Sequence, residues 1–259
     1  MAQDPLGDWP NRETLTTDGT TVLWWSRGDA ERDGLPWADG AVRPDGVDVA
    51  DCAAAVLREL SGWALSTSDQ ELVRALEAHR ARVLRSALSM SLPLTEEPAL
   101  RGVPDHISLG ALTAGDLAER ADEIGAGAFR AYGSDHGWVD ATEAAAFMRR
   151  AAAGEVLGPL LDSSVVATRG EAIVGACLVT NREGEPPFGG PWLLDIFRDP
   201  DDPAKGIGGA MLAHAGRSLR SVGLAAMSLA VSAENEPAVA LYRSLGFEQL
   251  GQSWTLALP

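Results

Sequence analysis

The 259-residue sequence predicts an α/β fold of the mixed α+β kind, and three observations carry that prediction. Three strand signals follow closely between Ser164 and Phe197, as in an antiparallel meander. The order then turns to glycine loop, helix, strand, helix and strand, the alternation of a βαβ unit. Ahead of both, residues 50–94 hold two helix patterns and a strand of their own, which read as an N-terminal α/β extension.

Residues 1–47 are rich in Gly, Asp, Pro and Trp and hold one strand signal, Thr20 to Trp25, set among turn formers. Ala50 to Leu60 and Asp69 to Ala81 carry apolar residues at three- and four-residue spacings, and Ser66 to Asp69 offers caps for the second helix. Arg82 to Leu94 alternates as a strand. Thr95 to Asp105, with two prolines and a glycine, reads as a linker. Beyond it come a strand over Ile107 to Leu112, a helix capped by Thr113 and running to about Arg130, the loop 133–140, and a second helix opened by Asp140 to Glu143. The meander strands are 164–168, 172–180 and 192–197. After the glycine loop follow a helix over 207–222, a strand over 227–231, a helix over 237–245 and a last strand near 253–258.

Composition narrows the function. Hydrophobic residues make up 46% and charged residues 22%, the balance of a globular chain and not of a disordered one. A net charge of -16 argues against a phosphate-tracking nucleic-acid binder or a protein held on an anionic membrane, and it suits a cationic substrate. Cys52 and Cys177 stand far apart, outside any metal-ligand spacing, so no metal site is expected. With no signal-peptide pattern and no 18-residue apolar run, the expectation is a cytoplasmic protein. His79, His106 and His214 have no nucleophile or carboxylate constellation around them and read as structural or surface residues.

The chemistry concentrates after residue 190. A strand ending at Phe197 leads through an acidic turn into Gly206-Ile207-Gly208-Gly209, which opens a helix whose Met211, Leu212, Ala215 and Leu219 form an apolar face. Glycines there let backbone N–H groups approach an anion, and the helix N-terminus favours negative charge. Alone, such a loop is also a plain strand-to-helix turn. Downstream, a strand is followed by Asn235 in a turn, Pro237 at the helix start, Tyr242 one turn on and Gly246-Phe247 at its close.

In this order Asp195-Ile196-Phe197-Arg198, Pro200, Gly206-Ile207-Gly208, Asn235, Pro237-Ala238, Leu241-Tyr242 and Leu245-Gly246-Phe247 resemble the general-control-related N-acetyltransferase (GNAT) superfamily, from about His106 to the C-terminus. The resemblance implies a central, mixed, mostly antiparallel sheet flanked by helices, in which strand 192–197 splays from strand 227–231. It divides the chain into an extension over 1–100 and an acyltransferase domain over 106–259. It implies acetyl-CoA, or another acyl-CoA, as co-substrate. Pantetheine would pair with the backbone of Ile196, Phe197 and Arg198, and the diphosphate would sit on Lys205, Gly206, Ile207, Gly208, Gly209 and Ala210, with Asn235, Ala238 and Tyr242 completing the coenzyme contacts. Two departures from the family pattern, Pro203 in place of Arg or Gln and the crowding of Asp199, Asp201 and Asp202, predict weakened coenzyme binding.

Transfer to an amine requires a neutral amine, a polarised thioester carbonyl and a proton for the departing thiolate. Tyr242 stands at the family's proton-donor position, with packing of its ring as the alternative role. A backbone N–H near Phe197 would polarise the carbonyl. Asp195 is the one ionisable residue in its strand; burial raises a carboxyl's pKa toward that of a useful base, and the alternative is an Asp on a solvated side of the strand. Acceptor recognition is expected in the loop 132–138, where Asp135 would hold an ammonium, His136 relay a proton and Trp138 offer a cation-π face. A surface loop anchored by its Trp is the competing reading. The extension resembles the tail of a degenerate GNAT repeat without a glycine loop, or else a helical cap.

The function this supports is acetyl-CoA-dependent N-acetyltransfer to a primary amine of a small molecule or protein, by direct attack in a ternary complex, with nucleic acid and membrane unlikely partners on charge and a homodimer left open. An acyl-CoA-binding module with decayed catalysis is the alternative. A nucleotide-binding GxGG protein fits less well, because the glycine loop follows a meander and not a first βαβ strand.

Overall fold

The computed structural model describes residues 11–28, 31–95, 101–133 and 137–259. They fall into two compact units: residues up to Ser89 with Val231–Asn235 and Leu250–Pro259, and Met90–Ala230 with Glu236–Gln249.

In the first unit, β1 (Arg12–Thr17) and β2 (Thr20–Arg27) form a hairpin around Asp18-Gly19, both at positive φ as a two-residue turn of the primed type requires. Strand β2 pairs antiparallel with β3 (Trp37–Val42), and β3 pairs parallel with β4 (Ala64–Thr67) through the crossover helix α1 (Val49–Glu59). Helix α2 (Gln70–Ala78) and the start of β5 (Arg82–Pro93) follow, and the end of β11 (Glu248–Ala257) pairs antiparallel with β4. Leu23, Trp25, Val56, Leu65, Leu72, Leu76 and Leu256 fill the core. The sequence reading missed three of these strands. β3 (WADGAV) holds an Asp and a Gly, both depleted in strands, and β4 is only four residues long between two helices.

In the second unit, β6 (Ser108–Ala111), β7 (Val165–Arg169), β8 (Ala172–Arg182) and β9 (Gly190–Arg198) form the expected antiparallel meander. The expected single helix from 114 to 130 is two, α3 (Ala114–Glu119) and α4 (Ala121–Tyr132), parted at Arg120. Helix α5 (Ala141–Ala152) starts on Asp140, whose carboxylate accepts from the Thr142 and Glu143 N–H groups. After β9 come α6 (Ile207–Ser221), β10 (Ala226–Ser232) and α7 (Glu236–Ser244). Met211, Leu212, Ala215 and Leu219 are buried, as their spacing predicts. Close packing of α4 uses two glycines: a Cβ on Gly125 would stand 2.5 Å from the Ala145 backbone N, and one on Gly127 would stand 2.9 Å from the Phe197 ring.

Among the described residues, no helix is long and apolar enough to cross a membrane.

Candidate active site

Strand β9 carries the site, and its register explains why. Leu178 pairs with Asp195 but Val179 pairs with Leu193, so Leu194 is the extra residue of a β-bulge. Beyond the bulge, the Asp199 N–H donates to Val174 O. Hydrogen-bonded and non-bonded pairs alternate in an antiparallel ladder, so Phe197 and Asp195 turn their backbone groups toward β8 while Ile196 and Arg198 turn theirs away. On that other side β9 meets β10 in parallel at one pair alone, Trp192 with Ser228. Past that pair the strands part, which is the splay the sequence resemblance implied. The N–H and C=O of Ile196 and Arg198 therefore form a short open edge, the kind of surface that an extended chain with amide groups can join.

Side chains alternate as well. Phe197 lies against Gly127 of α4, and Ile196 lies near Gly208 of α6, so the two helices cover opposite faces of β9. Asp195 shares the α4 face and is buried. Tyr132, in the last turn of α4 before Gly133 ends it, donates its hydroxyl toward Asp195 Oδ1 at 2.7 Å and toward the Ile196 carbonyl oxygen. Burial, reinforced by Asp195, pushes the Tyr132 pKa well above the ordinary phenol value. Tyr242 is buried on α7 with its ring 5.4 Å from that of Phe247. Burial first, then Cys177 and Asp195, raises its pKa too, so it keeps its proton at neutral pH. Cys177 is fully buried and its thiol pKa is raised by burial and by Asp195, which makes it inert as a nucleophile.

The start of α6 is the second component. Gly206 occupies the N-cap in the left-handed region at φ 89°, and no side chain caps the helix. The first intrahelical bond there runs from the Ala210 N–H to Gly206 O, leaving the amides of Ile207, Gly208 and Gly209 ahead of it. A Cβ on Gly208 would meet only Leu241 and Ile196, at 3.7 and 4.0 Å. Lys205 is exposed beside the loop.

In the acidic turn, Asp199 and Asp202 have arginine partners. Burial opposes ionisation of Asp199, yet hydrogen bonds from the Arg130 guanidinium, at 2.6 Å, and from the Asp201 N–H hold its carboxyl below the usual range. Asp202 receives two bonds from Arg169, at 2.8 and 2.9 Å, and is held low by them first of all. Arg198 donates to the carbonyls of Asp199 and Asp202. Two of the three aspartates are thus paired with arginines, which come from α4 and β7, distant in sequence.

Trp138 is half-buried between Tyr132, at 6.2 Å between ring centroids, and Phe147, at 5.5 Å, and so anchors its loop to the core. Asp135 and His136 lie outside the described residues. The Asn235 N–H donates to Ser232 O in the turn before α7, among the residues of the first unit, and Ala238 lies half-buried in the first turn of α7. Sequence reasoning gave no role to Tyr132. Its one signal there was scarcity, since the chain has only two tyrosines.

A meander bulged and splayed at its last strand, with a glycine-started helix beside the splay, is the arrangement of the GNAT fold. The sequence profile described as Acetyltransferase (GNAT) family matches residues 127–247, and the chain carries a domain of that family. Over 57 residues, 22% of this chain and 38% of the other, it is 44% identical to the [ribosomal protein bS18]-alanine N-acetyltransferase of Escherichia coli. Over 68 residues, 26% of this chain and 22% of the other, it is 41% identical to the mycothiol acetyltransferase of Saccharomonospora viridis. The matches thus span well under half the length of these relatives. The GCN5-related N-acetyltransferase structure from Sphaerobacter thermophilus superposes with a TM-score of 0.64 at 18% identity, over 93% of this chain and 78% of that one, and so shares the fold.

Proposed function

We propose that the protein is an acetyl-CoA-dependent N-acetyltransferase acting on a primary amine of a small molecule or a protein, by direct attack in a ternary complex. The observation that carries this reading is the open edge of Ile196 and Arg198 beside an uncapped, glycine-started helix. The edge offers backbone partners to the amides of pantetheine, and the helix start offers N–H groups and a partial positive charge to the diphosphate. Phe197, with its backbone committed to β8, contributes its ring to the wall; Lys205, Ala210, Asn235 and Ala238 are the remaining coenzyme contacts proposed. The protein supplies no acylatable thiol here, because Cys177 is held as a buried thiol, and this favours direct attack over an acyl-enzyme.

Each remaining step falls to a residue already placed. The Ile196 and Arg198 amides polarise the thioester carbonyl. Asp195, on the α4 face, accepts the proton of the attacking amine through water, and Tyr242 gives its proton to the departing thiolate. The loop from Tyr132 to Trp138, including Asp135 and His136, is the proposed acceptor-binding segment. We keep the acyltransferase domain at about 106–259 and residues 1–100 as an extension; its order β2-β3-α1-β4-α2-β5 parallels β8-β9-α6-β10-α7-β11, as a degenerate repeat would. There the Asp48 carboxylate takes the Ala50 and Asp51 N–H groups at the start of α1, and β3 and β4 pair at three positions, so neither the anion site nor the splay recurs. Catalysis in the cytoplasm fits this reading.

Thiol release from acetyl-CoA, measured across a panel of small amines and N-terminal peptides, tests the proposal. Acceptor-dependent release is expected. Coenzyme affinity without release for any amine favours instead a binding module that has kept the fold and lost the chemistry.

A further inference from the structure

The hydroxyl of Tyr132 has one proton and faces two acceptors on consecutive residues, Asp195 Oδ1 and the Ile196 carbonyl oxygen. Those acceptors belong to different parts of the chemistry. The Ile196 carbonyl lies on the open edge of β9, where a pantetheine amide N–H would bond, whereas Asp195 is the carboxylate assigned to the amine's proton. A carbonyl oxygen can accept two hydrogen bonds, but each weakens the other, and in that sense a pantetheine amide and the tyrosine hydroxyl would compete for the Ile196 carbonyl. The phenol is held in place by its ring contact with Trp138 and by the end of α4, so losing one acceptor leaves it beside the other.

We infer that Tyr132 is a positioning residue that couples coenzyme occupancy to the base: without coenzyme its proton is shared with the Ile196 carbonyl, and with coenzyme bound it is donated to Asp195 alone. This rests on the N-acetyltransferase reading for the role of Asp195, but the competition at Ile196 does not depend on which acceptor is used. The consequence is an ordered device. Coenzyme bound first gives Asp195 the undivided hydrogen bond of the Tyr132 hydroxyl, and the acceptor amine then meets a base already oriented.

Tyr132→Phe in the full chain removes the hydroxyl and keeps the ring. With the competitor gone, calorimetry should show acetyl-CoA binding about 2- to 10-fold more tightly, the net worth of one hydrogen bond. With an amine that supports release, kcat should fall roughly 10-fold, because the carboxylate loses the group that orients it. In an Asp195→Asn background the same substitution should leave kcat unchanged. Weaker or unchanged acetyl-CoA affinity in Tyr132→Phe overturns the competition. Tighter binding with an unchanged kcat, or the same fall in kcat in the Asp195→Asn background, overturns the coupling to Asp195. A wild-type chain that binds acetyl-CoA but releases thiol with no amine defeats the enzyme reading, while the affinity comparison still decides the competition.

Discussion

Substituting Gly208 by Glu places a carboxylate at the second position of α6, where the diphosphate of acetyl-CoA is proposed to sit. The fold tolerates the change, because a Cβ there finds its nearest neighbour, a Leu241 methyl, at an ordinary 3.7 Å. An acidic side chain in the first turn of a helix that lacks a side-chain cap also favours that helix, by about 0.3–1 kcal/mol. For the coenzyme the effect is opposite. Two unit negative charges about 6 Å apart repel by about 3 kcal/mol at an effective dielectric near 20, a loss of roughly 100-fold in affinity from one phosphate alone. Titration of the variant with acetyl-CoA in a calorimeter should therefore show no saturable binding at concentrations that saturate the wild type, with the thermal midpoint unchanged or slightly raised. Wild-type affinity in Gly208→Glu would refute the placement of the diphosphate on α6.

Tyr242→Phe should lower turnover by about 10²- to 10⁴-fold with coenzyme affinity retained, measured by thiol release where chemistry limits. Since the folded state raises the Tyr242 pKa, its proton stabilises the fold fully below about pH 10 and progressively less above it, so the variant should lose stability less steeply in that alkaline range. Arg169→Met should lower the urea midpoint at pH 7 by stranding the Asp202 carboxylate. Because the partner depresses that carboxyl's pKa, its contribution is present above about pH 4 and is lost as the pH falls through the lowered folded-state pKa, so the difference between variant and wild type should shrink steadily below about pH 4. Gly125→Ala should destabilise by about 1–3 kcal/mol in denaturant titration and cost more than Gly127→Ala, since the first meets the backbone of Ala145 and the second a Phe197 ring that can turn.

The second unit was legible because its signals are local. The meander, the glycine loop, the apolar face of α6 and the Pro-to-Gly limits of α7 each follow from spacings within a few residues, and the structure reproduces them within one or two positions. The break at Arg120 was not, because both halves keep helical spacing and only the Thr113–Asp116 capping box and the packing of α3 and α4 separate them. Nor were β3 and β4, which owe their pairing to neighbours remote in sequence. At the site, Asp195 stood out as the one ionisable residue of an apolar strand, and Tyr242 by its place in the family pattern. Tyr132 and the arginine partners of the acidic turn did not, because their roles are set by how α4 lies across β9, a tertiary fact with no local pattern.

Leu194 packs in the same cluster as Phe197 although they stand three positions apart, a spacing that in a regular strand would send them to opposite faces. The bulge is thus a change of frame within β9. Were Leu194 taken into the ladder as a regular residue opposite Leu178, every position from 195 onward would exchange faces: the carboxylate would turn toward α6, and the carbonyl now on the open edge would be bonded to β8. The bulge at Leu194 therefore sets at once which side chain would meet the amine and which peptide group would meet the thioester in the proposed reaction, so that both requirements are tied to how one residue is accommodated in the strand.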